Sequence, residues 1–134
     1  MTIESFSDGS GQNAKGYGSA SFIIVKDKYI IYQETIPLTG CTNNQAEYAA
    51  LTQAATWLVK GGYKEFTCYV DSELVAKQVA GTYQVTSIPL ISALQTFRDI
   101  IGHHTCRVEW VPRTNKYIQI ADKMNRAQVR KMMI

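Results

Sequence analysis

The sequence predicts an α/β fold: a mixed five-stranded sheet, three antiparallel strands and then two parallel ones, flanked by helices. Three observations predict it. The first third of the chain is a series of β-branched and aromatic runs separated by glycines and a short turn. The rest alternates helical and strand patterns, as crossover connections do. The 134 residues, 46% hydrophobic and 19% charged, suit a single domain spanning 1–134 with one core.

The elements follow in order. Residues 3–7 read as a strand running into the glycine-rich turn "DGSGQNAKGYG". "SASFIIV" (19–25) and "KYIIYQETI" (28–36) read as strands joined at Asp27-Lys28, which makes the first three strands an antiparallel meander. "PLTGCTNN" reads as a loop. Thr42 with Gln45 three residues on resembles a capping box, starting a helix near Asn43 that Gly61-Gly62 stops. "EFTCYVD" (65–71) carries apolar or β-branched residues on both faces, as a strand covered on both sides does. "SELVAKQVAG" (72–81) is a short helix. "LISALQTFRDIIG" (90–102) is a second, with Leu90, Leu94, Phe97 and Ile101 on one stripe. "TCRVEWVP" (105–112) is the last strand, and "IADKMNRAQVRKM" (120–132) a terminal helix.

Composition narrows the functional classes. Net charge is +3, compatible with a polyanionic partner but no proof of one. No run of 18 apolar residues exists, so no membrane helix is expected, and "MTIESFSDGS" lacks the pattern of a signal peptide. Cys41, Cys68 and Cys106 are odd in number and widely spaced, which fits reduced thiols and a cytoplasmic location.

Glu47 is the residue that does not fit. Leu51, Ala54 and Leu58 form the apolar stripe of the first long helix, and stepping back four residues from Leu51 gives a carboxylate. An unpaired buried carboxylate costs several kcal/mol. Three other acids stand at suggestive places. Asp8 lies where the first strand is expected to end, Asp71 at the end of a central strand, and Asp122 in the expected first turn of the last helix. Each has a local explanation: a turn start for Asp8, a helix cap for Asp71, a favourable dipole contact for Asp122. Taken together they suggest one site beyond the carboxyl ends of the strands. Close carboxylates repel unless a cation neutralises them, and an oxygen-only set points to Mg²⁺ or Mn²⁺.

The blocks "FSDGS" (6–10), "TNNQAEYAAL" (42–51), "VDSELVAKQV" (70–79), "VEWVPRTN" (108–115) and "IADKMNRA" (120–127) resemble the type 1 ribonuclease H family along nearly the whole chain. The resemblance implies that family's fold and its metal-dependent endonuclease activity on the RNA strand of RNA–DNA hybrids, leaving 5′-phosphate and 3′-hydroxyl ends. It places the catalytic, metal-binding carboxylates on Asp8, Glu47, Asp71 and Asp122. It implies two ions per site: Asp8 touching both, Glu47 and Asp71 on the one beside the leaving oxygen, Asp122 on the one that activates water. It implies 2′-hydroxyl contacts from Gly9, Ser10, Gly11, Asn13, Asn43, Asn44 and Gln45, and a DNA-strand phosphate on Thr42. Glycine at these positions is expected to admit the substrate backbone.

Departures from the family pattern shape further expectations. "GTYQVTSIPLIS" stands where many members have a basic helix, so the chain is similar to compact archaeal and phage-like members. Such a chain is expected to be a monomer, with substrate affinity low or aided by another domain or protein. Many members carry a mobile catalytic histidine in the loop just before the last carboxylate; that loop has none here, and the resemblance to compact members gives the role to Arg113. "NKYIQIAD" is three residues longer than the family's usual N-K-x-A-D. Candidate phosphate contacts are Lys15, Lys60, Arg113, Lys116 and Arg126. Other motifs lack their required context. The glycines after the first strand precede another strand rather than a helix and lack a P-loop Lys-Ser/Thr. His103-His104 has no spaced third ligand. Ser72 has no histidine near it in sequence, and Trp57 and Trp110 are expected in the core. Two rival readings remain: a catalytically silent nucleic-acid-binding module, which need not keep four carboxylates, and a DNA-acting nuclease of the same superfamily.

Overall fold

The computed structural model describes residues 2–134. Its elements are β1 (Ile3–Ser10), β2 (Tyr17–Lys26), β3 (Tyr29–Thr39), α1 (Asn43–Lys60), β4 (Glu65–Val70), α2 (Glu73–Val79), α3 (Ile88–Ile101), β5 (Thr105–Trp110) and α4 (Lys116–Met132). The sheet order is β3-β2-β1-β4-β5. β1 pairs antiparallel with β2 and parallel with β4, and β5 adds in parallel at the far edge. This is the expected mixed sheet.

Both faces of the sheet are covered by helices, and β1, β2 and β4 send apolar side chains to each. Tyr48, Leu51, Ala54 and Leu58 of α1 pack with α2 and α3 on Phe22, Ile24, Phe66, Cys68 and Val70. On the other face, Ile118 and Ala121 of α4 pack on Phe6, Ile23 and Val25. The β2–β3 hairpin turns at Asp27 and Lys28, both at positive φ (51° and 75°), the conformation a tight two-residue hairpin requires. The α1 capping box forms as expected: Gln45 N donates to Thr42 Oγ1, and Thr42 N to Gln45 Oε1. Cys41, Cys68 and Cys106 are free thiols.

Several boundaries differ from expectation. β1 does not end at Ser7. It runs on to Ser10 because β2 continues to pair with it, Asp8 facing Ser21. β3 extends through Pro37 to Thr39. As an edge strand it has a ladder on one side only, where a missing N–H is tolerated. Within the Asp71-Ser72 pair it is Ser72 that caps α2, accepting from Val75 N, which leaves Asp71 free for the site. The largest difference is α4, which begins at Lys116, because Asn115 Oδ1 accepts from the N–H groups of Tyr117 and Ile118. Asp122 is therefore the seventh residue of α4 rather than part of its first turn, and the dipole explanation for it lapses. The residues of "NKYIQIAD" that exceed the family's spacing are helical. Trp110 is 50% exposed on the edge strand, its indole N–H donating to Asp71 O, so it is not a core residue; Trp57 stacks between Tyr32 and Tyr63.

Candidate active site

The last parallel pair between β1 and β4 is Ser7 with Val70. Asp8 and Asp71 are the next residues of their strands, so the register brings both acids side by side at one sheet edge. α1 adds Glu47 from above. Its first turns lie close over β1 because Ser5, Ser7 and Gly9 on that face are small. A Cβ at Gly9 would collide with the backbone of Ala46 and Glu47, and one at Gly11 with Thr42 and Asn43. These glycines are thus required by the approach of α1, a packing role beside the expected substrate contact.

Asp8, Glu47 and Asp71 each bring a carboxylate oxygen to within 4.8 Å of the other two. Asp8 and Glu47 are buried. Burial, followed by the charges of Asp71 and Asp122, pushes the Asp8 carboxyl up to about 7. Burial, followed by Asp8 and Asp71, pushes Glu47 up to about 9. Burial also raises Asp71, opposed by its hydrogen bond with Asp8 and by Arg113. Glu47 Oε2 and Asp71 Oδ1 are buried with no hydrogen-bond partner among the described residues. Such orphaned oxygens are costly unless something else satisfies them. A hard divalent cation does so, and its charge returns crowded carboxyls to the ionised form. The donor set therefore fits Mg²⁺ or Mn²⁺.

Asp122 stands outside this trio on α4, partly exposed and paired with Arg126 one turn later. It still faces the trio across an open cleft of about 960 Å³. Arg113 Nε lies 3.4 Å from Asp71 Oδ2, but its side chain is 90% exposed, so the pair is weak and the guanidinium free to move. Gly9, Ser10, Asn43 and Asn44 line the cleft. Gly11, Asn13, Thr42 and Gln45 do not line it. Asn13 Oδ1 accepts from Lys15 N and Tyr17 N, building the β1–β2 turn, while Thr42 and Gln45 form the cap. Asn43 Oδ1 accepts from Gly11 N, whereas Asn44 forms no side-chain hydrogen bond among the described residues and is free for a ligand.

The basic residues of the cleft are Arg113, Lys123 and Arg126. Lys123 was missed by the sequence reading. Lys60 is misplaced in it: it ends α1, seventeen residues from Asn43, or about 25 Å at the helical rise. Asn125 was also missed. It is fully buried beneath Asp8. The signal was present, since Ile118, Ala121 and Asn125 share one helical stripe, and Asn125 is as anomalous there as Glu47 is in α1.

A sheet of this order, with carboxylates gathered over the β1–β4 junction, defines the ribonuclease H-like class. A family model described as reverse transcriptase-like matches residues 6–126, and the chain belongs to that ribonuclease H-like family. Ribonuclease HI of Halobacterium salinarum is 26% identical over 113 residues, which are 83% of this chain and 57% of that protein. The chain thus spans a little over half the length of that relative. The crystal structure of RNase H1 from the same archaeon superposes with a TM-score of 0.89 at 23% identity, covering 98% of this chain and 99% of that one. LC11-RNase H1, solved in complex with an RNA/DNA hybrid, gives 0.89 at 24% identity over 99% and 100%. At such identities these likenesses show the fold.

Proposed function

We propose that this chain is a divalent-metal-dependent endoribonuclease that cuts the RNA strand of RNA–DNA hybrids, leaving 5′-phosphate and 3′-hydroxyl ends. The observation that supports the reading best is the convergence of Asp8, Glu47 and Asp71 with two buried oxygens left unpaired. Two bound Mg²⁺ or Mn²⁺ ions would neutralise the phosphodiester and supply an activated water. The protein's part is to hold the donors. Asp8, Glu47 and Asp71 form the rigid side of the site on β1, α1 and β4, and Asp122 completes it from α4. Asn44, with the backbone of Gly9 and Ser10, lies where an RNA strand's 2′-hydroxyls would be read. Arg113, 90% exposed, is free to leave Asp71 and take the place of the family's mobile catalytic histidine, the role given to it by resemblance. The chain works as a monomer in the cytoplasm, and another domain or protein supplements its modest basic surface.

The test uses labelled RNA–DNA hybrid, duplex RNA and duplex DNA, each with Mg²⁺, Mn²⁺ or EDTA. Cleavage of the RNA strand of the hybrid alone, abolished by EDTA, is expected. Preferential cutting of duplex DNA, or no cutting with either ion, would overturn the reading.

A further inference from the structure

Asn125 is fully buried and joins α4 to the sheet through four hydrogen bonds. Its Nδ2 donates to Asp8 O at 2.9 Å and reaches Asp8 Oδ2 at 3.4 Å. Its Oδ1 accepts from Ser19 Oγ at 2.8 Å and Ser21 Oγ at 2.7 Å. Ser21 Oγ is in turn 3.0 Å from Thr35 Oγ1. The carbonyl and carboxylate of Asp8 only accept, so the amide nitrogen must face them, and the two serine hydroxyls fix the oxygen on the other side. One side chain thereby ties β1, β2 and, through Thr35, β3 to α4. Asn125 is also three residues from Asp122, so the same contact sets how far the acid on α4 stands from the three on the sheet and α1.

We infer that Asn125 is a positioning residue for the metal site: it holds the Asp8 carboxylate turned toward Glu47 and Asp71 and pins α4 so that Asp122 completes the set. The inference rests on the metal-site reading proposed above. Ser19 and Ser21 hold Asn125, and Thr35 holds Ser21. Without the amide, α4 loses the one buried side-chain tie to Asp8 found among the described residues.

The test compares Asn125→Ala with Leu94→Ala, a buried residue of α3 on the opposite face of the sheet. Both variants should melt lower than the parent. Mn²⁺ binding to the full chain is then measured by titration calorimetry without nucleic acid, well below the melting range. Asn125→Ala should weaken Mn²⁺ binding about tenfold or more, the scale for losing a partner that orients a metal ligand. Leu94→Ala should leave it unchanged. Ser21→Ala should give a smaller loss in the same direction, and adding it to Asn125→Ala should cost nothing further, because both act through one chain of contacts. Should Asn125→Ala fail to fold, Ser21→Ala and Ser19→Ala carry the test, each weakening Mn²⁺ binding where Leu94→Ala does not. Parent-like affinity in the Asn125 and serine variants, or equal losses in Leu94→Ala, would overturn the inference. A parent that binds Mn²⁺ but cuts no hybrid would defeat the functional reading and leave this one standing. A parent that binds no Mn²⁺ would defeat both.

Discussion

Replacing Glu47 by glutamine should stabilise the metal-free protein at pH 7. Glu47 rises from its ordinary 4.5 to about 9 in the fold, chiefly through burial. At pH 7 it is therefore ionised in the unfolded chain and protonated in the folded one, and folding must take up a proton. Holding that proton at pH 7 on a group of pKa 4.5 costs about 3 kcal/mol at 1.36 kcal/mol per pH unit. The sign follows from the raised pKa. The native state binds more protons between the two values, so stability is fully present below about 4.5 and falls as pH rises toward 9. Glutamine needs no proton and escapes the penalty. Glu47→Gln should gain up to about 3 kcal/mol at pH 7 in EDTA, or roughly 10 °C in Tm for a chain of this size, and almost nothing at pH 4. Saturating Mg²⁺ should reverse the order. The parent gains about 4.1 kcal/mol when the ion is at a thousand times its Kd, more than the variant's lead of about 3 kcal/mol, and the variant gains much less. The assay is thermal unfolding followed by circular dichroism at pH 4 and pH 7, with EDTA or Mg²⁺. A variant that melts with the parent at pH 7 in EDTA, or gains equally at both pH values, would refute the reasoning.

Three further outcomes are expected. Gly9→Ala should lower stability by about 1–3 kcal/mol in urea unfolding and reduce metal affinity, because its Cβ forces α1 and Glu47 away from β1. Asn44→Ala should cut discrimination between hybrid and duplex DNA by about 1 kcal/mol, measured as a ratio of kcat/KM values; equal losses on both substrates would remove Asn44 from RNA reading. Hybrid binding by the catalytically impaired Asp71→Asn variant should show a shallow salt dependence, a log–log slope of about −3, since Arg113, Lys123 and Arg126 are the basic residues of the cleft. A slope steeper than about −7 would require phosphate contacts that this surface does not offer.

What the sequence made legible depended on periodicity. Glu47 was visible as an intruder on the Leu51–Ala54–Leu58 stripe, and it is buried where the stripe puts it. Asp8 and Asp71 were expected to neighbour each other at a sheet edge, and the Ser7–Val70 register does this. The start of α4 differs from expectation because Asn115 caps the helix one turn and more before the apolar-acidic run Ile120-Ala121-Asp122. The inward position of Asn125 was legible on the stripe it shares with Ala121, four residues before it. The network of Asn125 with Ser19, Ser21 and Asp8 joins residues more than a hundred apart, and no local pattern encodes it. The packing role of Gly9 and Gly11 was hidden for a related reason: a glycine under a helix and a glycine under a substrate look the same in sequence.

A carboxylate cluster that acts through bound metal should cut the RNA of a hybrid by hydrolysis. The most direct measurement is single-turnover cleavage of a hybrid whose RNA strand is end-labelled, with parent and Asp71→Asn compared in Mg²⁺ and the fragment ends identified by mass. The account predicts 3′-hydroxyl and 5′-phosphate ends from the parent, and a rate loss in the variant greater than the ~100-fold that losing an outer partner of a metal ligand can cost. Undiminished cleavage by Asp71→Asn would contradict the account. So would 2′,3′-cyclic phosphate ends, which would mean attack by the RNA's own 2′-hydroxyl instead of water.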